Sequence, residues 1–411
     1  MNILYINNYN YPRGGAENIF LSEFVLAKNN GHCPYIFTRK FPKNLPSAND
    51  SFFPGEVLTD NISFSVNGFK SLLNIFYSPI SKKKLRDFLR FFPIDIAHIH
   101  NIYGRLTTSV LDCLNEFRIP TVMTLHDYKT ICPNYKMMHH EKICEDCKPH
   151  RYFQAILNKC HKDSYIASAI YSLETYFNYY FKKYLKNINF FISPSKFLKT
   201  KLIDYDFPSD RIVYIPNFIA LSEFKPNYSP GDYFLYIGRL SSEKGIVNLI
   251  NAFKSIDKHS VKLKIVGEGP LEHELKQISG SDARIEFMGH LCGSNLSDIT
   301  RNSLAVVVPS QWYENAPLSI LESMAYGKPV IGSNIGGIPE MIESGNTGFL
   351  FDYNDASELT DLLRKVSEMK NDRISDMGHS ARLKVENEYS DSIHLRNLNK
   401  IYHQVILAGA I

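Results

Sequence analysis

Residues 233–279 read YFLYIGRLSSEKGIVNLINAFKSIDKHSVKLKIVGEGPLEHELKQIS, and this stretch decides the fold. YFLYIGRL is a short apolar run closed by glycine, the pattern of a buried strand. GIVNLINAFKSI carries apolar residues at helical spacing. VKLKIVG is a second strand and PLEHELKQIS a second helix, with Pro270 where a helix start tolerates proline. Strand and helix alternating in this way argue for parallel strands joined by crossover helices.

The pattern continues on both sides. Downstream come RIEFMGHL, LAVVVPS, a helix expected from Pro317 through Met324, KPVIGS and a last helical region. Upstream, NILYIN is a strand and a Gly-Gly turn leads into AENIFLSEFVLAKNNG, a helix ended by Gly31; CPYIFT is the next strand. IDIAHIH and PTVMTLH are short buried runs with a helical TSVLDCLNEF between them. Two successive α/β sequences predict two Rossmann-like, doubly wound lobes facing each other across a cleft. The expected division is 1–205, with a cysteine-rich insertion at 128–165, then 206–385, then a C-terminal helix over 386–411 that packs back on the first lobe. Ligands in such sheets bind at the carboxyl ends of the strands, which makes the cleft the expected site.

At 411 residues the chain is too long for one typical core, and its 44% hydrophobic content is that of a globular protein. The start, MNILYINNYNYPRGG, lacks a basic leader and reads as a strand, and no window approaches a membrane-spanning apolar run. A cytoplasmic protein is expected. The charge is lopsided: residues 1–210 hold 26 Lys and Arg against 18 Asp and Glu, and residues 211–411 hold 20 against 24. The basic half includes Lys82, Lys83, Lys84, Arg86 and Arg90, and Lys182, Lys183 and Lys186 after YFNYYF. Such segments suit the anionic inner face of the plasma membrane, although solvated helix faces explain them equally. No recognised nucleic-acid module appears, so no nucleic-acid partner is expected.

Three glycine turns fall at expected strand ends of the second lobe. GRLSSEKG (238–245) sets Arg239 and Lys244 beside Gly238, two cations suited to a diphosphate. VGEGP (266–270) supplies Gly267 and Gly269, and SNIGGIPE (333–340) is of the same design. One such turn is common; three together build a ligand-facing rim.

ENAPLSILE (314–322) places one carboxylate before the expected helix and one inside it. Backbone N–H groups at a helix start attract phosphate. An acid beyond that end repels phosphate, so Glu314 better serves hydroxyls or a developing positive charge. The plain alternative is a dipole-compensating Glu314 and a surface Glu322.

GRLSSEKG, VGEGP and ENAPLSILESMAYGKPVIGSNIGGIPEMI, in that order, resemble the retaining nucleotide-sugar glycosyltransferases of family 4, with the GT-B fold. RGGAE (13–17), IDIAHIHN (94–101) and TLHD (124–127) extend the resemblance into the first lobe. The resemblance implies a hexosyltransferase using a nucleotide-diphosphate sugar, a UDP-sugar first and a GDP-sugar second. It implies that Arg239 and Lys244 hold the diphosphate, that Glu314 contacts the transferred sugar, and that Asn315, Ala316, Pro317 and Leu318 form a backbone turn on sugar and phosphate. It assigns Glu322 to the ribose, Gly14 and Gly15 to the loop near diphosphate and acceptor, and His126 to the donor sugar. Glu314, His126, Arg239 and Lys244 are thus the expected catalytic set. Phe218 and Ala220 depart from the glycine and aspartate frequent in the family's connecting segment, while Asn217 is retained.

The implied chemistry breaks the anomeric bond to the diphosphate through an oxocarbenium-like state, with cations and the helix start at Pro317 stabilising the leaving group. No matched residue is an obvious carboxylate nucleophile of the kind retaining glycosidases use, so same-face attack is expected, with the leaving phosphate taking the acceptor proton. No catalytic metal is expected; Asp204-Tyr-Asp206 has the form of a metal-binding Asp-x-Asp motif but sits at a helix-ending connector. The expected acceptor is a lipid-linked glycan of surface polysaccharide, O-antigen or capsule. The alternatives are another GT-B enzyme, such as a non-hydrolysing epimerase or a phosphorylase, and a binding-only subunit.

Four of the seven cysteines, Cys132, Cys144, Cys147 and Cys160, cluster in the first-lobe insertion. Tetrahedral thiolate zinc stapling that loop is the leading expectation, with nearby histidines as substitute ligands; an iron–sulfur or redox role and no metal remain open.

Overall fold

The computed structural model describes residues 1–55, 74–257 and 261–409. It divides into two units. One comprises Met1–Met137, Glu145–Pro216 and His394–Ile411; the other comprises Met138–Cys144 and Asn217–Ile393.

The first unit carries a six-stranded parallel sheet. Its strands are β1 (Asn2–Ile6), β2 (Cys33–Phe37), β3 (Ile96–Ile99), β4 (Thr121–Thr124), β7 (Phe190–Ser193) and β8 (Ile212–Tyr214), in the order β2-β1-β3-β4-β7-β8. Two short strands, β5 (Met138–His139) and β6 (Lys142–Ile143), pair as an antiparallel hairpin belonging to the other unit. From β1 the chain moves one way to β2 and then returns to β3 on the opposite side. That reversal leaves a crevice at the carboxyl ends of β1 and β3.

The second unit repeats the design. Its strands β9 (Tyr233–Ile237), β10 (Lys262–Val266), β11 (Ile285–Gly289), β12 (Ala305–Val308), β13 (Val330–Ser333) and β14 (Gly348–Phe351) are parallel, in the order β11-β10-β9-β12-β13-β14. The reversal here lies between β9 and β12, the strands that precede GRLSSEKG and ENAPLSILE. Strict alternation divides the apolar residues between two cores. Phe234, Tyr236, Ala305 and Val307 pack with one, and Tyr233, Leu235, Val306 and Val308 with the other. A strand buried on both faces needs apolar residues at every position, which is why AVVV reads as a continuous run.

The helix expected from Pro317 begins one residue later, at Leu318, and runs to Ala325. Pro317 is its N-cap rather than its first helical residue, with an extended backbone (φ −66°, ψ 121°). The final helix spans Asp391–Gly409, and its residues from His394 belong to the first unit. Residues 410 and 411 of the expected helix lie outside the described residues.

Candidate active site

In the second unit the loops after β9, β10, β12 and β13 are locked together by their backbones. Gly267 (φ +135°) lies so close to the loop after β9 that a Cβ there would fall 1.9 Å from the Gly238 carbonyl oxygen. A Cβ on Gly269 would fall 2.2 Å from the Leu240 carbonyl oxygen. Gly238 and Leu240 donate their N–H groups to Val266 and Glu268 at 3.0 Å each. These glycines therefore serve loop-to-loop approach, a tighter and more local demand than the ligand approach expected of them. Gly245 (φ +67°) does the same against Pro309, and Gln311 N–H donates to the Glu243 carbonyl at 2.9 Å.

Glu314 sits at the centre of this assembly, 6% exposed. Its Oε1 accepts from Lys244 Nζ at 2.6 Å and from the Ser310 hydroxyl at 2.8 Å. Its backbone carbonyl accepts from Gly337 N–H at 2.7 Å. Gly336 (φ +60°) packs against the same peptide, where a Cβ would lie 2.3 Å from the Glu314 carbonyl oxygen. The two cations assigned to the diphosphate thus behave differently. Lys244 is paired with Glu314 and lies 5.1 Å from the Trp312 ring centroid, while Arg239 is exposed at the loop tip.

The loop leading to Leu318 is held by Asn217, whose Nδ2 donates to the Ala316 carbonyl at 2.9 Å. The helix that follows has no side-chain cap and no acidic residue in its first turn. Its leading N–H groups keep their attraction for an anion. Asn315 is buried, and Glu322 lies inside the helix, where burial raises its pKa.

Gly14, Gly15 and His126 belong to the first unit. Gly14 is extended (φ −174°), and a Cβ there would meet only Glu17 Oε2 at 3.7 Å. His126 Nε2 lies 2.8 Å from His100 Nδ1. Burial and then the neighbouring His100 hold its pKa well below the usual imidazole value, so it is neutral. A cavity of about 350 Å³ opens at the carboxyl ends of β1, β3 and β4, lined by Tyr9, Arg13, Glu17, Asn101, Asp127 and Tyr171 among others. Burial raises the Asp127 pKa to about 6.

Zinc at the cysteines is not supported. The thiol of Cys132 is engaged by Asn134 Oδ1 at 3.0 Å, and burial raises its pKa, favouring the thiol over the thiolate that binds metal. Cys147 packs with Tyr152 and Ala155, with Cys160 against them, while Cys144 closes the hairpin segment assigned to the other unit. Within the described residues, the group of three or more candidate ligands brought within 4.8 Å is Glu23, His98 and His100. The acids of the Asp-x-Asp motif are engaged elsewhere, Asp204 with Lys148 at 3.1 Å and Asp206 with His150 at 2.9 Å.

The profile of Glycosyltransferase Family 4 matches residues 13–223, half of the chain, and that of Glycosyl transferases group 1 matches residues 219–384. The chain belongs to glycosyltransferase family 4. Among curated relatives, N-acetyl-alpha-D-glucosaminyl L-malate synthase of Bacillus anthracis is 26% identical over 52% of this chain and 56% of its own. The amylovoran biosynthesis glycosyltransferase AmsK of Erwinia amylovora is 30% identical over 42% and 44%. The match therefore spans about half the length of these relatives. Sucrose-phosphate synthase from Thermosynechococcus elongatus superposes with a TM-score of 0.71 at 19% identity, covering 99% of each chain. Anabaena HepE, solved with UDP and glucose, gives 0.67 at 17% identity, covering 98% of this chain and 99% of its own. These likenesses establish the GT-B fold, as the resemblance implied.

The family 4 chain also contains features its sequence did not announce. Ser310, which donates to Glu314, carries no motif of its own, and Gly336 belongs to the SNIGGIPE turn, whose close packing on the Glu314 peptide that motif did not announce. The buried imidazoles of His98 and His100 are visible in the alternation of IAHIHN, where residues two apart share a strand face.

Proposed function

We propose that the chain is a retaining hexosyltransferase that moves a sugar from a UDP-sugar, with a GDP-sugar as second choice, to a glycan acceptor without a catalytic metal. The observation that carries this reading is Glu314, buried at the strand reversal of the second unit and held by Lys244 and Ser310. A carboxylate fixed there can accept from sugar hydroxyls. Exposed Arg239 and the uncapped start of the helix at Leu318 supply positive potential for the leaving diphosphate. Lys244 shares its charge between Glu314 and that diphosphate. Glu322 takes the ribose, and Gly14, Gly15 and His126 serve the sugar from the first unit. The departing phosphate oxygen removes the acceptor proton during same-face attack.

The acceptor we favour is a lipid-linked glycan of surface polysaccharide. AmsK, named for amylovoran biosynthesis, and the Escherichia coli glycosyltransferase WcaL, named as putative in colanic acid biosynthesis, are relatives of that kind. Peripheral contact with an anionic membrane would use the helix Tyr165–Tyr180 and the residue after it, where Ile166, Leu173, Tyr180 and Phe181 are all more than half exposed. Both basic segments are partly neutralised, Lys82 and Arg86 by Glu116 and Lys183 by Asp112, so the exposed apolar residues carry this reading.

A panel of UDP- and GDP-sugars, scored for nucleotide release with and without glycan acceptors and chelator, tests the proposal. An axial-to-axial product configuration with one UDP-sugar, insensitive to chelator, is expected. A sugar nucleotide that binds but is never turned over with any acceptor would favour a binding subunit.

A further inference from the structure

We propose that Glu23, His98 and His100 form a buried site for a divalent transition-metal ion of the zinc class, with the Tyr402 hydroxyl the nearest group for the fourth position. The four residues come from distant points of the chain, on the helix Gly15–Asn29, on β3 and just beyond it, and on the final helix. All lie in the first unit, and the side chains of Glu23, His98 and His100 are no more than 1% exposed.

The spacing is that of ligands around one ion. His98 Nδ1 lies 3.2 Å and His100 Nε2 3.4 Å from Glu23 Oε2. Zinc bonds of about 2.0–2.2 Å to nitrogen and oxygen put tetrahedral corners about 3.3 Å apart. Hydrogen bonding accounts for His98 Nδ1, which faces the Tyr402 hydroxyl, and leaves the other two atoms open. Glu23 Oε2 and His100 Nε2 are both buried without a hydrogen-bond partner, although they lie close together.

The outer contacts also fit. A ligating imidazole is ordinarily oriented by a bond from its other nitrogen. His98 Nε2 lies 2.7 Å from Thr124 Oγ1, and His100 Nδ1 lies 2.8 Å from His126 Nε2. The second carboxylate oxygen of Glu23 is held by His394 Nε2 at 3.0 Å. A donor set of two imidazoles and one carboxylate selects a transition metal over calcium or magnesium. The Tyr402 hydroxyl lies 2.6 Å from His98 Nδ1, so it yields that lone pair on metal binding. The ion would tie the final helix to the sheet through a ligand set that uses no cysteine.

The test uses the full chain purified without chelator. Its metal content is measured, and the chelated protein is then titrated with Zn²⁺ and with Co²⁺, following the melting temperature and the cobalt absorption. One ion per chain is expected, with a melting temperature raised by Zn²⁺ and visible cobalt bands lacking the near-ultraviolet thiolate band. Glu23→Gln should abolish uptake. Thr124→Val, which leaves every ligand in place, should weaken Zn²⁺ affinity by about tenfold to a hundredfold. A metal-free chain whose melting temperature neither ion moves overturns the proposal. So does a cobalt spectrum with the thiolate band that survives Glu23→Gln, which puts the ion on the cysteines. If Glu23→Gln does not fold, the wild-type spectrum and Thr124→Val decide.

Discussion

Lys244 Nζ lies 2.6 Å from Glu314 Oε1, so two charges that sequence alone assigns to different parts of a ligand neutralise each other. Removing one partner leaves a buried carboxylate with a single hydroxyl donor. Lys244→Met should destabilise the protein by about 1–3 kcal/mol, less than a fully buried pair because the lysine is partly exposed. The double variant Lys244→Met/Glu314→Gln should recover most of that loss. Chemical denaturation of the four proteins checks it; an unaffected Lys244→Met would mean the pair contributes nothing.

Glu314→Gln separates the chemical role from the structural one. The amide keeps the shape but not the charge, so transfer should be abolished while nucleotide affinity stays nearly intact. Nucleotide binding and sugar transfer are measured side by side, and full activity would remove Glu314 from the mechanism.

Gly336 and Gly345 make a matched pair of tests. Both are left-handed, at φ +60° and +82°, but a Cβ on Gly345 meets nothing within 4 Å whereas one on Gly336 strikes the Glu314 peptide. Gly345→Ala should cost about 1–2 kcal/mol from backbone strain alone. Gly336→Ala should cost clearly more and also lower transfer, because Glu314 must move. Equal melting temperatures and equal activities would refute the seating role.

Asp127 gives a pH signature. Its folded pKa of about 6 lies above the ordinary 3.8, so the folded state binds the proton more tightly than the unfolded state. Its contribution is fully present below pH about 4 and is lost as pH rises through about 6. Asp127→Asn should therefore raise stability at pH 8 by up to about 3 kcal/mol and make no difference near pH 3.5. Melting curves at the two pH values decide, and a gain of equal size at both would point away from titration.

Membrane contact is tested at the exposed apolar patch. Ile166→Asp with Phe181→Asp should abolish sedimentation with vesicles rich in phosphatidylglycerol and leave the melting temperature unchanged, since both side chains are more than half exposed. Binding retained by the double variant would exclude this surface.

The architecture was readable because strands such as AVVV and YFLYI are buried on both faces and announce themselves as unbroken apolar runs. The helix start was misplaced by one residue because Pro317 satisfies either an N-cap or a first-turn position. Arg239 and Lys244 stood out as cations beside glycines and Glu314 as an acid ahead of a helix start, yet the pairing of Lys244 with Glu314 was hidden. A 70-residue separation between Lys244 and Glu314 leaves no local trace in sequence. The cysteines misled for the opposite reason: close spacing along the chain gathered attention, while Cys144 follows a hairpin assigned to the second unit.

The first unit closes its own core with residues from His394 onward, including Tyr402, which is 1% exposed. During synthesis Glu23 and its histidines stay uncovered by Tyr402 until residues Asn217–Ile393 have been made. A chain stalled or clipped before His394 would present an unfinished buried surface to the cell's quality control, however well its sheet had formed.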